Sequence, residues 1–548
     1  MRGRTLLALL LVVCMAVGLT ACGSKTTVTT QDDMSSIIRM TEDWPTYFDP
    51  SVGSDFSDDI TIVNLYDPLV FPQTDGLVGP HIAKSWQVSA DNLTYTFTIR
   101  DDVKFHDGNI MKASDVAFSM NRMLAIGEGY AYLYKGIVKD AVAKEDTTVV
   151  MTLEKPFGPF ITSLIRFMIV EEKLVMEHLD KSSTSYGKYG DYGKQWLLTH
   201  DAGSGSYFVK DVKLEEYVLG EWFPDYFLGW ETNAPKYFKL SGAIEPVSVR
   251  TAVANKELEI TDEIQPLENY NTMATFAGVS IVAYESGTNM NLCLNTKKAP
   301  TDDIHFRKAM AYAFDYDTVL KNIYPGAKRS LGPVAGIVPG ANRDLVPYTY
   351  NLDKAKAELA LSKYATDQSK WDITMSWCAE VPEEEKIALL FQANVAALGI
   401  KVEITKKPFG SMIADAQTVE TTPNVSVVNE APSYFEAGAT LKTRYSSSSC
   451  GTWEQMEWLQ SPAIDAMIED ALSTTDRVKR FDKYKKIQVV INDLCPTIWV
   501  LDAIEKRACQ TGYVDWNPYL FLKEGKTFVY PMGYSLYVHD MKVYPDKR

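Results

Sequence analysis

Histidine and cysteine are the residues of this chain best suited to metal or nucleophilic chemistry, and their spacing supports neither. There are six His and seven Cys. His81, His106, His178, His200, His305 and His539 form no H-E-x-x-H pattern, and no two have metal-sharing separation. Cys293, Cys378, Cys450, Cys495 and Cys509 contain no C-x-x-C pair, which sets aside zinc and thioredoxin-like chemistry. No G-x-S-x-G elbow or catalytic-cysteine signature occurs. Gly203-Ser204-Gly205-Ser206-Tyr207 looks like a phosphate loop but lacks G-x-x-x-x-G-K-[ST] and a βαβ setting. The 71 acidic residues include no pair singled out for acid–base work. Binding chemistry is what remains. The 30 Tyr and 11 Trp supply rings for the walls of a cleft. Trp377 ends the alternating run 373–377, where a strand emerges toward a crevice.

The elements that would position these residues are legible as patterns. Tyr95, Phe97 and Ile99 alternate with Thr94, Thr96 and Thr98, which predicts a strand with one buried face. Ser114 is placed to cap a helix whose inner face carries Val116, Met120, Met123 and Leu124. Residues 383–398 predict an amphipathic helix, with Ile387, Leu390, Phe391, Val395 and Leu398 inward and Gly399 ending it. Ile400, Val402 and Ile404 alternate in the strand that follows. Helix–glycine–strand is the unit of an α/β lobe. Residues 463–472 and 477–493 predict two more helices, and 496–504 a return strand. Cys495 and Cys509 flank that strand, so either a disulfide across a hairpin or two buried free thiols is expected.

A chain of 548 residues is long enough for two or three cores. Its formal charge of −16 argues against nucleic acid and against a polybasic membrane patch. The first 21 residues read as a processing signal. Arg2 and Arg4 form a basic start, and 6–17 is an apolar run too short to span a bilayer. Leu19-Thr20-Ala21-Cys22 then resembles a lipoprotein cleavage box, with Cys22 acylated and 22–34 a polar tether.

One long stretch carries a family resemblance. SW-x-VS-x(3)-LTYTFTIRDDVKFHDG, followed by A-x-DV-x-FS, spans residues 85–119. It resembles the signature of the dipeptide/oligopeptide type of extracellular solute-binding proteins, which serve ABC importers. Asn295-Thr296, Asp303, Phe306-Arg307-Lys308-Ala309 and Ala313-Phe314-Asp315 resemble the same family's packing helix. The resemblance implies an α/β fold of the type II periplasmic-binding-protein kind: two hinged lobes plus an inserted domain. By analogy the first lobe comprises 35–75, 200–285 and 505–548, the inserted domain 76–199, and the second lobe 286–504. It implies no enzyme, no cofactor and no metal. The expected partners are a small solute, a permease with its ATPase subunits, and the membrane through the lipid; a monomer held outside the cytoplasm is expected.

Site residues follow by position. Ser54, Asp55 and Phe56 follow the Asp49-Pro50 turn where the family's chain approaches its ligand, although Ser54 and Asp55 are equally good helix caps. Tyr132 resembles a tyrosine that lies over the ligand. Trp453 follows 446–451, whose family counterpart closes over the solute.

The chain departs from the family at the ammonium anchor. Peptide binders read roughly D-x-x-[DE]-P there, whereas Val428 and Ala431 stand here in place of the acids. Glu430 is nearby but points away in an extended segment, which predicts a solvated carboxylate off the site. Either Glu430 substitutes through a local shift, or the solute lacks a free amine. A peptide-like solute is therefore one expectation. An oligosaccharide, a metal complex or another modified solute is the alternative, and a hydrolase or a transporter-free receptor on the same scaffold ranks below both.

Overall fold

The alternation at 94–99 forms the strand Thr94–Ile99 with Tyr95, Phe97 and Ile99 buried. A computed structural model of the protein describes residues 34–73, 76–242 and 244–548. The expected signal and Cys22 lie outside the described residues. Thr94–Ile99 pairs with Ala83–Val88 and Thr148–Leu153, and Val138–Glu145 completes an antiparallel four-stranded sheet. Helix Ala113–Ile126 covers it with Val116, Met120 and Met123. The helix begins before Ser114, contrary to the expected cap. Asp115 instead accepts a hydrogen bond from the Lys112 backbone N–H at 2.8 Å, and Ser114 is exposed in the first turn. His106 anchors the turn that follows this sheet. Its ring bonds to Asp201 and to the Gly205 carbonyl, tying this sheet to the glycine-rich turn. Burial pulls the imidazole down, but Asp201 outweighs it and raises its pKa.

A second sheet runs Ile37–Thr41, Tyr237–Ser241, Tyr217–Trp222 and Tyr207–Lys213, with the first pair parallel. A third has six strands in the order Lys328–Arg329, Thr497–Cys509, Ser280–Leu294, Val425–Glu430, Asp372–Cys378 and Lys401–Lys407. Helix Glu383–Ala396 packs Ile387, Phe391 and Val395 onto this last sheet. Burying each such side chain is worth roughly 1.5–3 kcal/mol.

Two strands of the third sheet join the lobes. Ser280–Leu294 and Thr497–Cys509 pair antiparallel along most of their length. Residues 280–285 face 504–509, which bridge through Ile260 to Met40 of the second sheet. Residues 289–294 lie against Val425–Glu430. Between the two halves the register shifts, from Glu285 to Asn289. Gly287 sits in that bulge at φ +85°, where a Cβ would come within 2.9 Å of the Phe435 ring. A bulge interrupts the ladder and bends the strand.

Cys495 and Cys509 are not bridged. Cys495 ends helix Arg477–Leu494, and Cys509 ends a strand of 13 residues. About 40 Å of extended chain separates them. The five described cysteines are free thiols.

Residues 154–166 touch the helices of 431–494. The Gly158 N–H donates to the Leu472 carbonyl at 2.7 Å, and Lys155 pairs with Glu469 at 2.6 Å.

Candidate functional site

Period-two alternation gives the six-stranded sheet two unlike faces. Ile373, Met375 and Trp377 lie with Val425, Val427, Leu292 and Leu294 in the helix-covered core. Trp377 is 3% exposed there, with the Lys406 ammonium 5.3 Å above its ring. It is a core residue, which corrects its expected place on a cleft wall: odd-numbered positions of this strand face the helices.

The other face is polar. Ser376 sits beside Ser426, Ser426 beside Cys293, and Cys293 beside Thr497. The next rows are Val428–Asn291–Trp499 and Glu430–Asn289–Asp502. Val428 and Glu430 therefore share a face, and Glu430 is 4% exposed. This corrects the expected solvated carboxylate: the segment is a paired strand, and its end is covered by residues 431–459. Glu430 accepts long hydrogen bonds of 3.4 and 3.5 Å from the Thr440 hydroxyl. No ion pair reaches it among the described residues. Burial pushes its carboxyl up to about 7, against the opposing pull of Arg444.

Tyr132 lies within electrostatic reach of this carboxylate. It stands on the turn Gly129–Leu133 with 46% of its surface open. Its hydroxyl end is enclosed beside Ser433, with Glu454 and Glu430 close enough to act on it. Enclosure first, then Glu454, raises the phenol well above its usual value. Tyr130 donates to Asp59 at 2.7 Å. Arg166 lies 5.0 Å over the Tyr130 ring, pairs with Asp59 at 2.9 Å and donates to the Ser433 carbonyl at 2.6 Å. Trp453 opens the turn Trp453–Gln455, half-buried, edge-on to Phe409 at 5.3 Å and packed near Val428 and Cys293. Burial pushes the Glu454 carboxyl up to about 7.

Ser54, Asp55 and Phe56 form a separate group at the start of helix Phe56–Leu65. Asp55 caps helix Phe56–Leu65, accepting from the Asp58 N–H at 2.7 Å and the Ser57 hydroxyl at 2.9 Å. The Ser54 N–H donates to Asp58 at 3.3 Å. Phe56 lies half-buried beneath the Arg507 guanidinium, 5.6 Å from its ring. Arg507 pairs with Glu42 at 2.8 Å, Glu263 at 2.6 Å and Glu505 at 3.1 Å. Desolvation raises the Asp43 carboxyl, and Asp262, Asp55 and Glu380 raise it further.

Arg507, Glu42, Glu263, Arg166 and Arg444 were not foreseen. Glu505 and Arg507, charged at i and i+2 inside a strand run, were the one available signal. Among the described residues no His, Cys, Asp or Glu group is arranged to hold a metal ion. Burial raises the Cys293 thiol, the opposite of what a nucleophile needs. The arrangement offers rings and under-compensated carboxylates, which suits a positively charged group.

Residues 78–451 match the description "Bacterial extracellular solute-binding proteins, family 5 Middle". The chain is 27% identical to the "Probable D,D-dipeptide-binding periplasmic protein DdpA" of Escherichia coli K12, over 82% of this chain and 85% of that protein. It is 27% identical to the "Dipeptide-binding protein" of the same organism, over 86% and 90%. Its fold is similar to that of the Helicobacter pylori periplasmic binding protein DppA in complex with the peptide STSA. The TM-score is 0.78 at 20% identity, covering 92% of this chain and 98% of that one.

Proposed function

Because the chain belongs to the bacterial extracellular solute-binding proteins of family 5, we propose that it captures a peptide or peptide-like solute with a free amine. It delivers that solute to an ABC permease. The observation that carries this reading is Glu430, a buried carboxylate with no ion pair among the described residues, within electrostatic reach of half-open Tyr132. An ammonium placed there would meet a carboxylate and an aromatic ring, a favourable setting for a cation. The names of the two E. coli relatives point the same way. Phe56 and Trp453 supply apolar wall. Asp55 caps the helix and carries negative charge, and the Ser54 N–H donates to Asp58.

The lobes close on the solute about the bulge near Gly287. Small-angle scattering with and without a mixture of free di- and tripeptides tests this. Wild type is expected to become more compact, and its melting temperature to rise with peptide concentration. Gly158→Val supplies the control. A Cβ at Gly158 would lie 2.3 Å from the Thr474 carbonyl, so this variant is expected to stay extended. A wild-type radius unchanged by a peptide that binds contradicts closure.

The tether is part of the same reading. Cleavage before Cys22 and acylation of its thiol would hold the protein at the outer face of the membrane. Cys22→Ala is expected to move the protein into the soluble fraction, and a variant that still pellets like wild type contradicts the anchor.

A further inference from the structure

Resting on the Cys22 anchor proposed above, we propose that the loop 224–233 is a membrane-docking face, which seats Leu228 and its neighbouring rings in the headgroup region of an anionic bilayer. Leu228 is 50% exposed. It lies in a turn closed by the Gly229 N–H on the Tyr226 carbonyl at 2.8 Å. The turn is braced from behind. Gly229 takes φ +69°, and His539 Nε2 hydrogen-bonds its carbonyl at 2.9 Å. The Trp230 indole N–H donates to the Phe223 carbonyl at 2.8 Å. Trp230 packs 5.1 Å from Trp222 and 5.0 Å from His539. Phe227, Trp222 and Trp230 are all partly buried. One exposed leucine is ordinary. A braced leucine among three partly open rings has the composition of a membrane–water interface.

The place where the chain from Cys22 enters the fold is the second observation. Ser36 precedes strand Ile37–Thr41 on this same face. Its carbonyl accepts from the Lys236 N–H at 2.8 Å, and its hydroxyl donates to the Ala234 carbonyl at 3.3 Å. Ser36 lies 14 residues beyond Cys22, a reach of at most about 50 Å fully extended. A lipid on Cys22 therefore holds residues 234–236, and the loop that runs into them, toward the bilayer. The segment 542–548 lies alongside: the Val543 N–H donates to the Asn233 carbonyl at 2.9 Å, and Arg548 to the Ile37 carbonyl at 3.4 Å.

The charges here suit anionic headgroups without making a polybasic patch. Lys236 lies 5.8 Å over the Trp222 ring and Lys547 3.8 Å over the Tyr544 ring. Both are exposed, and neither has an ion pair among the described residues. Such side chains lay their stems on apolar surface and reach headgroups with the ammonium. Asp225 is paired with Lys104 at 2.6 Å and Glu231 with Lys542 at 3.9 Å, which leaves Asp546 exposed. On a chain of formal charge −16, this is a face that an anionic surface does not repel. The leucine and the rings carry the contact, and the two lysines set the headgroup preference.

Vesicle co-sedimentation of the Cys22→Ala protein tests this without the lipid. The probes are vesicles of phosphatidylcholine alone and of equal parts phosphatidylcholine and phosphatidylglycerol. The unlipidated contact is weak and screened by salt, so the assay is run at low ionic strength, and the contact does not keep this protein in the membrane pellet of cells. The protein is expected to bind the mixed vesicles roughly fivefold or more better than phosphatidylcholine, with a blue shift of its tryptophan emission. Leu228→Glu in the same background is expected to lose roughly tenfold of that binding, with melting temperature and peptide affinity unchanged. Changing Lys236→Glu and Lys547→Glu together is expected to remove the preference for the mixed vesicles. A Cys22→Ala protein that binds neither vesicle overturns the docking face, and so does a Leu228→Glu protein that binds as well as its parent. The anchor is judged separately: wild type found soluble in fractionated cells overturns the lipid reading, while the vesicle result still decides the face.

Discussion

Glu430→Gln is expected to weaken binding of a free-amine peptide by ~2–5 kcal/mol, roughly thirtyfold or more. The size follows from burial. An ammonium brought against a 4% exposed carboxylate gives up its water, and an amide in place of the carboxylate leaves that charge unpaired. The pH dependence has a definite sign. The Glu430 carboxyl is pushed up to about 7 by burial, so in the free protein it is largely protonated below that pH. Affinity for an amine should fall as pH drops below about 7. It should fall again above about 8, where a peptide's own α-amine loses its proton. Stability of the free protein runs the other way. The folded value lies above the unfolded one, so this group favours folding at low pH and the contribution is lost as pH rises through about 7. Gln at 430 should flatten both profiles. Calorimetry across pH 5–9 checks this, and a variant that binds a free-amine peptide as well as wild type does would remove Glu430 from the site.

Arg507→Met is expected to cost ~3–5 kcal/mol of stability at neutral pH, because removing one partner leaves buried charges uncompensated. Glu42, Glu263 and Glu505 all converge on this guanidinium, whose side chain is fully buried. Burial already pushes the Glu263 carboxyl up to about 7, and it holds Glu42 well above the usual range. Without Arg507 these carboxylates take up protons more readily still. The cost should therefore shrink as pH falls toward 5. Denaturant melts of both proteins at two pH values measure it. A loss that is equal at both, or below about 1 kcal/mol, would show that the arginine is not their counterion.

The elements were legible where the pattern was periodic. Thr94–Ile99 and helix Glu383–Ala396 follow directly from the positions of their apolar residues. The return strand was read too short, at 496–504. Its second half, through Glu505 and Arg507, loses the apolar alternation because charged side chains there pair with one another rather than with solvent. That same error placed Cys495 and Cys509 across a hairpin. The site was legible only in part. Tyr132 and Glu430 converge, but Trp377 does not join them, since alternation alone does not say which face of a strand the helices cover. Arg444 carried no signal: one arginine in a short polar helix looks like any exposed charge until Glu457 and Cys293 fold against it.

Native mass spectrometry of protein purified from cells under gentle conditions tests the central claim most directly, because a closed cleft retains its solute. The account predicts a bound mass that fragments as a short peptide or peptide-like compound carrying a free amine, and that is lost more readily from the Glu430→Gln protein. A retained sugar, metal complex or other solute without an amine would contradict it.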